Sequence, residues 1–217
     1  MADVKVLVVT SPGPLTTLQD LGRFGFGQYG VAQSGAVDSF SLRVSNRLVG
    51  NGENEAGLEM TFAGPAITAL SEIAFAVTGA DMQPRINGTP IPMWRSLIMQ
   101  KGERLSFKGI RSGLRAYLAV GGGINADMVL KSRSTNLGAH FGGVSGRPLM
   151  KGDILSSHTP HPHLKTEGTA LPFQWIPSHT PDVTLRVIFG PHQHHFDPEM
   201  LSIFQQAVYD VTEQLDR

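Results

Sequence analysis

The chain reads as a mainly β protein with a few helices. Three features say so: seven short strand-like runs occupy the first 156 residues, Gly, Pro or Asn bounds most of them, and only two segments repeat apolar residues at helical spacing.

The runs, in order, are Lys5–Val9, Glu59–Phe62, Glu72–Thr78, Arg85–Asn87, Ser96–Gln100, Arg104–Lys108 and Arg115–Val120. Two connections carry hairpin chemistry. Asn87-Gly88 suits a type I′ turn, and Lys101-Gly102-Glu103 suits a short loop with glycine at the positive-φ position. Between the first two runs, Val37 to Val49 reads as a helix: Val37, Phe40, Val44 and Leu48 define its apolar face, Ser34 or Asp38 is available near its start, and Gly50-Asn51 ends it. A second helix is expected near the C-terminus, with Asp197 as N-cap, Pro198 in the first turn and Leu201, Phe204 and Val208 on one face.

Residues 157–182 are rich in proline and histidine and show neither period, which is the signature of a linker. The expected organisation is therefore a first domain over 1–156, the linker, and a second unit over 183–217 opening with a strand in "VTLRVIFGPH". That unit is too short to support a core of its own.

Composition narrows the function classes. Lys+Arg and Asp+Glu balance at 18 each, so no global field favours nucleic acid or an anionic membrane. The apolar run near the N-terminus is too short to be a signal core or a membrane span, and a cytoplasmic protein is expected. The chain has no cysteine, which excludes disulfides, thiolate nucleophiles and Cys-based zinc sites. His161, His163, His192, His194 and His195 lack helix-ordered ligand spacing, so no metal site is expected.

The glycine-rich stretch before the first helix invites a phosphate-loop reading, but no Walker A segment is present. "GFGQYG" at Gly25 to Gly30 matches dinucleotide-binding letters without the strand-and-helix setting that gives them meaning. The helix that follows offers two readings: its N-terminus holds an anion, with Ser34 and Asp38 at the mouth, or Ser34 and Asp38 simply cap it. Farther on, Arg115 and Tyr117 share one face of a strand, and Arg133, Ser134 and Thr135 combine a cationic fork with two hydroxyls, suited to gripping a carboxylate or oxyanion.

Eight segments occur in order: "TTLQDLGR", "GVAQSGAVD", "NRLVGN", "LEMTFAGP", "VTGAD", "GLRAYLAVGGGI", "SRSTN" and "GGVSGRPLMKGD". Together they resemble the biotin-dependent carboxyltransferase/allophanate hydrolase subunit 2 family, which includes KipA-like proteins and the C subunit of the bacterial 5-oxoprolinase. The resemblance implies cyclophilin-like β-barrels, the second incomplete here, and a KipI-like (allophanate hydrolase subunit 1-type) partner. It further implies a subunit of an ATP-dependent complex that cleaves 5-oxo-L-proline to L-glutamate with a further 5-oxoprolinase subunit. Alternatives within the family are a carboxyltransferase component served by biotin on a partner chain, and a non-catalytic KipA-type regulator that binds a KipI-like kinase inhibitor.

No cofactor is assigned to this chain itself: ATP acts in the complex, and any biotin arrives on a partner. Carried onto this sequence, the resemblance marks Gln19, Asp20, Arg23, Ser34, Asp38, Asn46, Glu59, Arg115, Tyr117, Arg133, Ser134 and Thr135. Asp20 or Asp38 is the expected proton acceptor, and Arg23, Arg115 or Arg133 the expected clamp on substrate oxygens. One departure stands out: relatives carry glycine where this chain has Lys131, at a bend suited to positive φ.

Overall fold

A computed structural model describes residues 3–157, 164–178, 180 and 182–210. The chain divides into two compact units, Met1–His179 and Thr180–Arg217.

The first unit is built from two antiparallel sheets. Strands β1 (Val4–Ser11), β2 (Leu15–Gln19), β3 (Gly57–Thr61), β4 (Ala66–Ala69), β5 (Ile73–Asp81), β6 (Pro84–Ile86), β7 (Thr89–Pro90), β8 (Ser96–Met99), β9 (Arg104–Phe107), β10 (Ser112–Val120) and β11 (Ile154–Ser157) follow in chain order. Helix α1 (Ser39–Leu48) lies between β2 and β3. One sheet runs β11-β1-β4-β9-β6-β7 and the other β2-β3-β10-β5-β8. All seven strand-like runs form strands, and the Asn87-Gly88 turn has the two positive φ angles, 50° and 84°, that type I′ requires.

The expected closed barrel is not formed among the described residues. Both sheets are open, with β2 and β8 at the edges of one and β11 and β7 at the edges of the other. Closure needs edge strands that pair around the ring. Here the two sheets instead bury their inner faces against each other: Leu7 and Val9 of β1, Ile67 of β4 and Leu105 of β9 join Leu58 and Met60 of β3, Phe75 and Val77 of β5 and Leu118 of β10 in one core.

Strands β2, β4, β7 and β11 escape sequence reading, β2 because its alternation is masked. In β2 the inner residues are Thr16 and Leu18 and the outer ones Thr17 and Gln19, yet all four are buried, so polarity does not report the face.

The outer face of the second sheet carries α1. The helix buries Ser41, Leu42, Ser45, Asn46 and Leu48, so of the expected face Val37, Phe40, Val44 and Leu48 only the C-terminal half packs inward. Val37 and Phe40 are exposed and Val44 is partly covered. Leu48 and Val44 pack on the small sheet residues Ala76 and Ala119, and nearer the start of the helix Thr78 Oγ1 donates to the Ser41 carbonyl at 2.8 Å, which brings the serine side close to the sheet.

Residues 164–171, within the expected linker, are anchored on this unit: Ser96 N–H donates to the Thr169 carbonyl at 2.8 Å and Leu171 N–H to the Trp94 carbonyl at 3.0 Å.

In the second unit the expected strand after Val183 has no ladder among the described residues. Val183, Leu185, Val187 and Ile188 are exposed, and an unpaired strand has no backbone partners to hold it. Helix α2 (Pro198–Gln206) starts at Asp197 with proline in its first turn, as expected, but ends before Val208 and buries no residue.

Candidate functional site

Strand periodicity builds the first half of the site. On the outer face of the second sheet, Tyr117 lies opposite Glu59 and Arg115 opposite Thr61, and Thr17 flanks Glu59 on the other side. A bulge precedes this pairing: Ser112 aligns with Asp81 but Ala116 with Gly79, and the extra residues re-aim Arg115. Glycine is required across from it, because a Cβ at residue 79 would stand 2.5 Å from the Arg115 carbonyl oxygen.

Glu59, 1% exposed, is the hub. Its Oε1 accepts from Arg115 Nη1 at 2.9 Å, and its Oε2 accepts from Tyr117 OH at 2.7 Å and Val37 N–H at 2.9 Å. Arg115 Nη1 also donates to Thr61 Oγ1 at 3.0 Å. The Tyr117 hydroxyl in turn accepts from Asp38 N–H at 2.8 Å. Burial, and then the neighbouring Glu59 charge, push the Tyr117 hydroxyl far above its ordinary value, so it remains a donor.

Asp38 is the α1 cap: Oδ1 accepts from Ser41 N–H at 3.0 Å and Oδ2 from Ser41 Oγ at 2.5 Å. Ser34 lies earlier in the loop with φ 55° and is half-buried.

The second half joins the loop after β2 to residues 129–136. The carboxylate of Asp20, 3% exposed, accepts from Gly22 N–H at 2.8 Å, Ser132 Oγ at 2.7 Å, Arg133 N–H at 2.6 Å and Ser134 Oγ at 2.5 Å. Oδ1 takes three of these bonds and Oδ2 one.

Arg23, 1% exposed, donates through Nη2 to the Ser134 carbonyl and through Nε to the Val129 carbonyl at 3.2 Å, and its guanidinium stacks 4.6 Å from the Phe141 ring centroid. A side chain at Gly142 would collide with this guanidinium, since its Cβ would lie 2.6 Å from Nη2. Burial lowers the Arg23 pKa from its ordinary value, and the charge of Asp20 opposes that.

Gln19 links the halves. Its amide donates to Thr17 Oγ1 at 3.0 Å and the Thr135 carbonyl at 3.3 Å, and its Oε1 accepts from Gly35 N–H at 3.1 Å. Thr135 closes on β2 by donating both N–H and Oγ1 to the Leu18 carbonyl.

Two cationic donors remain unspent among the described residues: Arg23 Nη1 and Arg133 Nε are buried without a hydrogen-bond partner. Of the twelve residues marked in the sequence, Gln19, Asp20, Arg23, Arg133, Ser134 and Thr135 form one network, and Asp38, Glu59, Arg115 and Tyr117 a second. Ser34 lies in the loop that connects them. Asn46 stands apart, holding the turn after α1 through the Glu53 and Glu55 carbonyls and Asn51.

Sequence reading missed Thr61, which the period-2 spacing from Glu59 points to, and Ser132, which neighbours Arg133. Phe141 carries no local signal. The bend at Leu130-Lys131 keeps its shape without glycine: φ is 51° and 63°, and Val129 and Ser132 exchange hydrogen bonds across it.

His192, His194 and His195 form a tilted ring cluster in the second unit, with His194 and His195 centroids 4.1 Å apart. His161 and His163 lie outside the described residues. Among the described residues no group of three or more His, Cys, Asp or Glu is arranged to hold a metal ion, and no helix is long and apolar enough to cross a membrane.

Fold and site together define an antiparallel two-sheet domain whose outer face carries buried carboxylates surrounded by arginines. The chain belongs to the family described as carboxyltransferase domain, subdomain A and B, whose model matches residues 29–217. It is 34% identical to the C subunit of 5-oxoprolinase from Escherichia coli over 98% of this chain and 66% of that protein. It is 35% identical to urea amidolyase of Saccharomyces cerevisiae over 90% of this chain and 11% of that protein. The crystal structure of the Kluyveromyces lactis urea carboxylase superposes with a TM-score of 0.75 at 35% identity, covering 82% of this chain and 17% of that one. The chain thus spans just under two thirds of the 5-oxoprolinase subunit and a small part of the larger enzymes.

Proposed function

We propose that this chain serves as a subunit of an ATP-dependent 5-oxoprolinase, cleaving 5-oxo-L-proline to L-glutamate in the cytoplasm with a KipI-like partner and a further subunit. The similarity to the C subunit of 5-oxoprolinase, which runs through 98% of the chain, supports the class of reaction. The observation that carries the site is the excess of cationic donors: Arg23 Nη1 and Arg133 Nε lack acceptors among the described residues.

The substrate brings a carboxylate and a lactam carbonyl, and the carbonyl oxygen gains negative charge when the ring opens. Preorganised donors stabilise that charge. Arg133, half-buried, and Arg115, with 12% of its side chain exposed, are the donors a substrate reaches. Asp20 and Glu59 hold the arginine-bearing segments in place.

The residues here do not fit a nucleotide phosphate. The N-terminus of α1 is capped by Asp38 and faces Glu59, so a phosphate there would meet two carboxylates. The ATP step is accordingly assigned to a partner.

A second reading, a carboxyltransferase component served by biotin on a partner, is favoured by the family match and by the urea amidolyase relative. Co-expression with the partner subunits and measurement of ATP-dependent glutamate release from 5-oxoproline tests the first reading. Turnover that Arg133→Ala lowers by about tenfold or more supports it. Avidin-sensitive carboxyl transfer in place of glutamate release would move the assignment to the second.

A further inference from the structure

A cavity of about 540 Å³ opens in the first unit, and none of the twelve marked residues lines it. Its size falls in the range of small-molecule sites. Ile91, Met93 and Trp94, the segment between β7 and β8, form an apolar lining, and Ile176 closes another side.

Trp94 is 6% exposed and has φ 58°, a conformation costly for a bulky side chain. It is held there by its N–H bond to the Val77 carbonyl at 2.8 Å and by Phe40, whose ring centroid is 6.3 Å away.

Two guanidiniums, Arg85 and Arg111, and one carboxylate, Asp81, also line the cavity. Asp81 spends Oδ1 on Gln83 N–H at 2.9 Å and meets Arg111 through Oδ2 at only 3.3 Å. Arg85 donates to the Gly88 carbonyl at 2.8 Å and has no acidic partner within ion-pair distance among the described residues. One carboxylate against two guanidiniums leaves the lining net cationic.

An apolar lining with an aromatic wall and a cationic surplus suits one ligand chemistry. We propose that this cavity binds a small carboxylate with an apolar or aromatic body, at a site separate from the Asp20 and Glu59 networks. The carboxylate meets Arg111 and Arg85, and the body packs on Trp94 and Met93. The proposal is independent of the reaction assigned above.

The chain has two tryptophans, and Trp175, 66% exposed, can be replaced without touching the core. In a Trp175→Phe background, Trp94 fluorescence is titrated with 3-phenylpropionate and with its uncharged amide. The acid is expected to produce a saturable change in the millimolar range, about fivefold tighter than the amide. Arg111→Ala, at a side chain 70% exposed, is expected to weaken that preference while leaving the thermal midpoint unchanged, and Arg111→Ala with Arg85→Ala to erase it. The absence of saturation with either compound, equal binding of acid and amide, or a preference that survives the double replacement of Arg111 and Arg85 would each overturn the proposal. Displacement of the probe by equimolar 5-oxoproline would overturn its separateness from the proposed substrate site.

Discussion

Asp20→Asn tests whether the Asp20 carboxylate is the anchor of its network. The amide keeps one oxygen, which can serve Gly22, Ser132 and Ser134, but its nitrogen then faces the Arg133 N–H that Oδ2 accepts at 2.6 Å. Donor set against donor leaves a buried polar group unsatisfied, at a cost of about 1–3 kcal/mol. The same change removes the charge that opposes the desolvation of Arg23, a guanidinium 1% exposed. Asp20 and Arg23 are not in ion-pair contact, so this second effect is a longer-range one and the expected total stays at about 1–3 kcal/mol.

For a chain of this size the thermal midpoint falls by roughly 2–12 °C. Urea unfolding followed by circular dichroism measures the loss. A double-mutant cycle with Arg23→Met then assigns it, with an expected coupling of at least about 1 kcal/mol. A loss below about 1 kcal/mol, or strict additivity with Arg23→Met, would refute the anchoring role.

Lys131→Gly relieves a left-handed residue at no loss of contact in the Val129–Ser132 bend and should stabilise the protein by about 0.5–1 kcal/mol in urea titration, after the entropic cost of glycine. Tyr117→Phe leaves Glu59 and Asp38 N–H each short of a partner and should cost about 1–3 kcal/mol at neutral pH. Because the folded state holds the Tyr117 proton far above its ordinary value of 10.0, while the unfolded state releases it there, wild-type stability should decline above about pH 10, and the variant should lose that part of the decline on a pH series of unfolding curves. Arg147 donates through both Nη atoms to Asp153 at 2.8 Å and lowers its pKa below the ordinary 3.8. The stability from this pair is present above that value and lost as pH falls through the folded one, so Asp153→Asn should flatten the acid limb of the stability profile.

Elements whose signal is local are legible in the amino-acid order alone. Seven strands, the Asn87-Gly88 turn, the place of α1 and the shared face of Arg115 and Tyr117 all follow from periodicity and turn chemistry within a few residues. The eight ordered motifs also point to the right family. What depends on chain closure is set by the folded molecule. Asp20 meets Ser132 and Ser134 across 112 and 114 residues, and nothing near Asp20 in the chain distinguishes a carboxylate that anchors a distant loop from one left open to a ligand. The buried face of α1 is likewise decided in part by the sheet: Val44 and Leu48 of its apolar stripe pack on Ala76 and Ala119, while Phe40 is left exposed and Ser41 and Ser45 are buried. The strand expected after Val183 shows the same dependence: β-propensity lies in the side chains, but a strand exists only where another strand accepts its backbone hydrogen bonds.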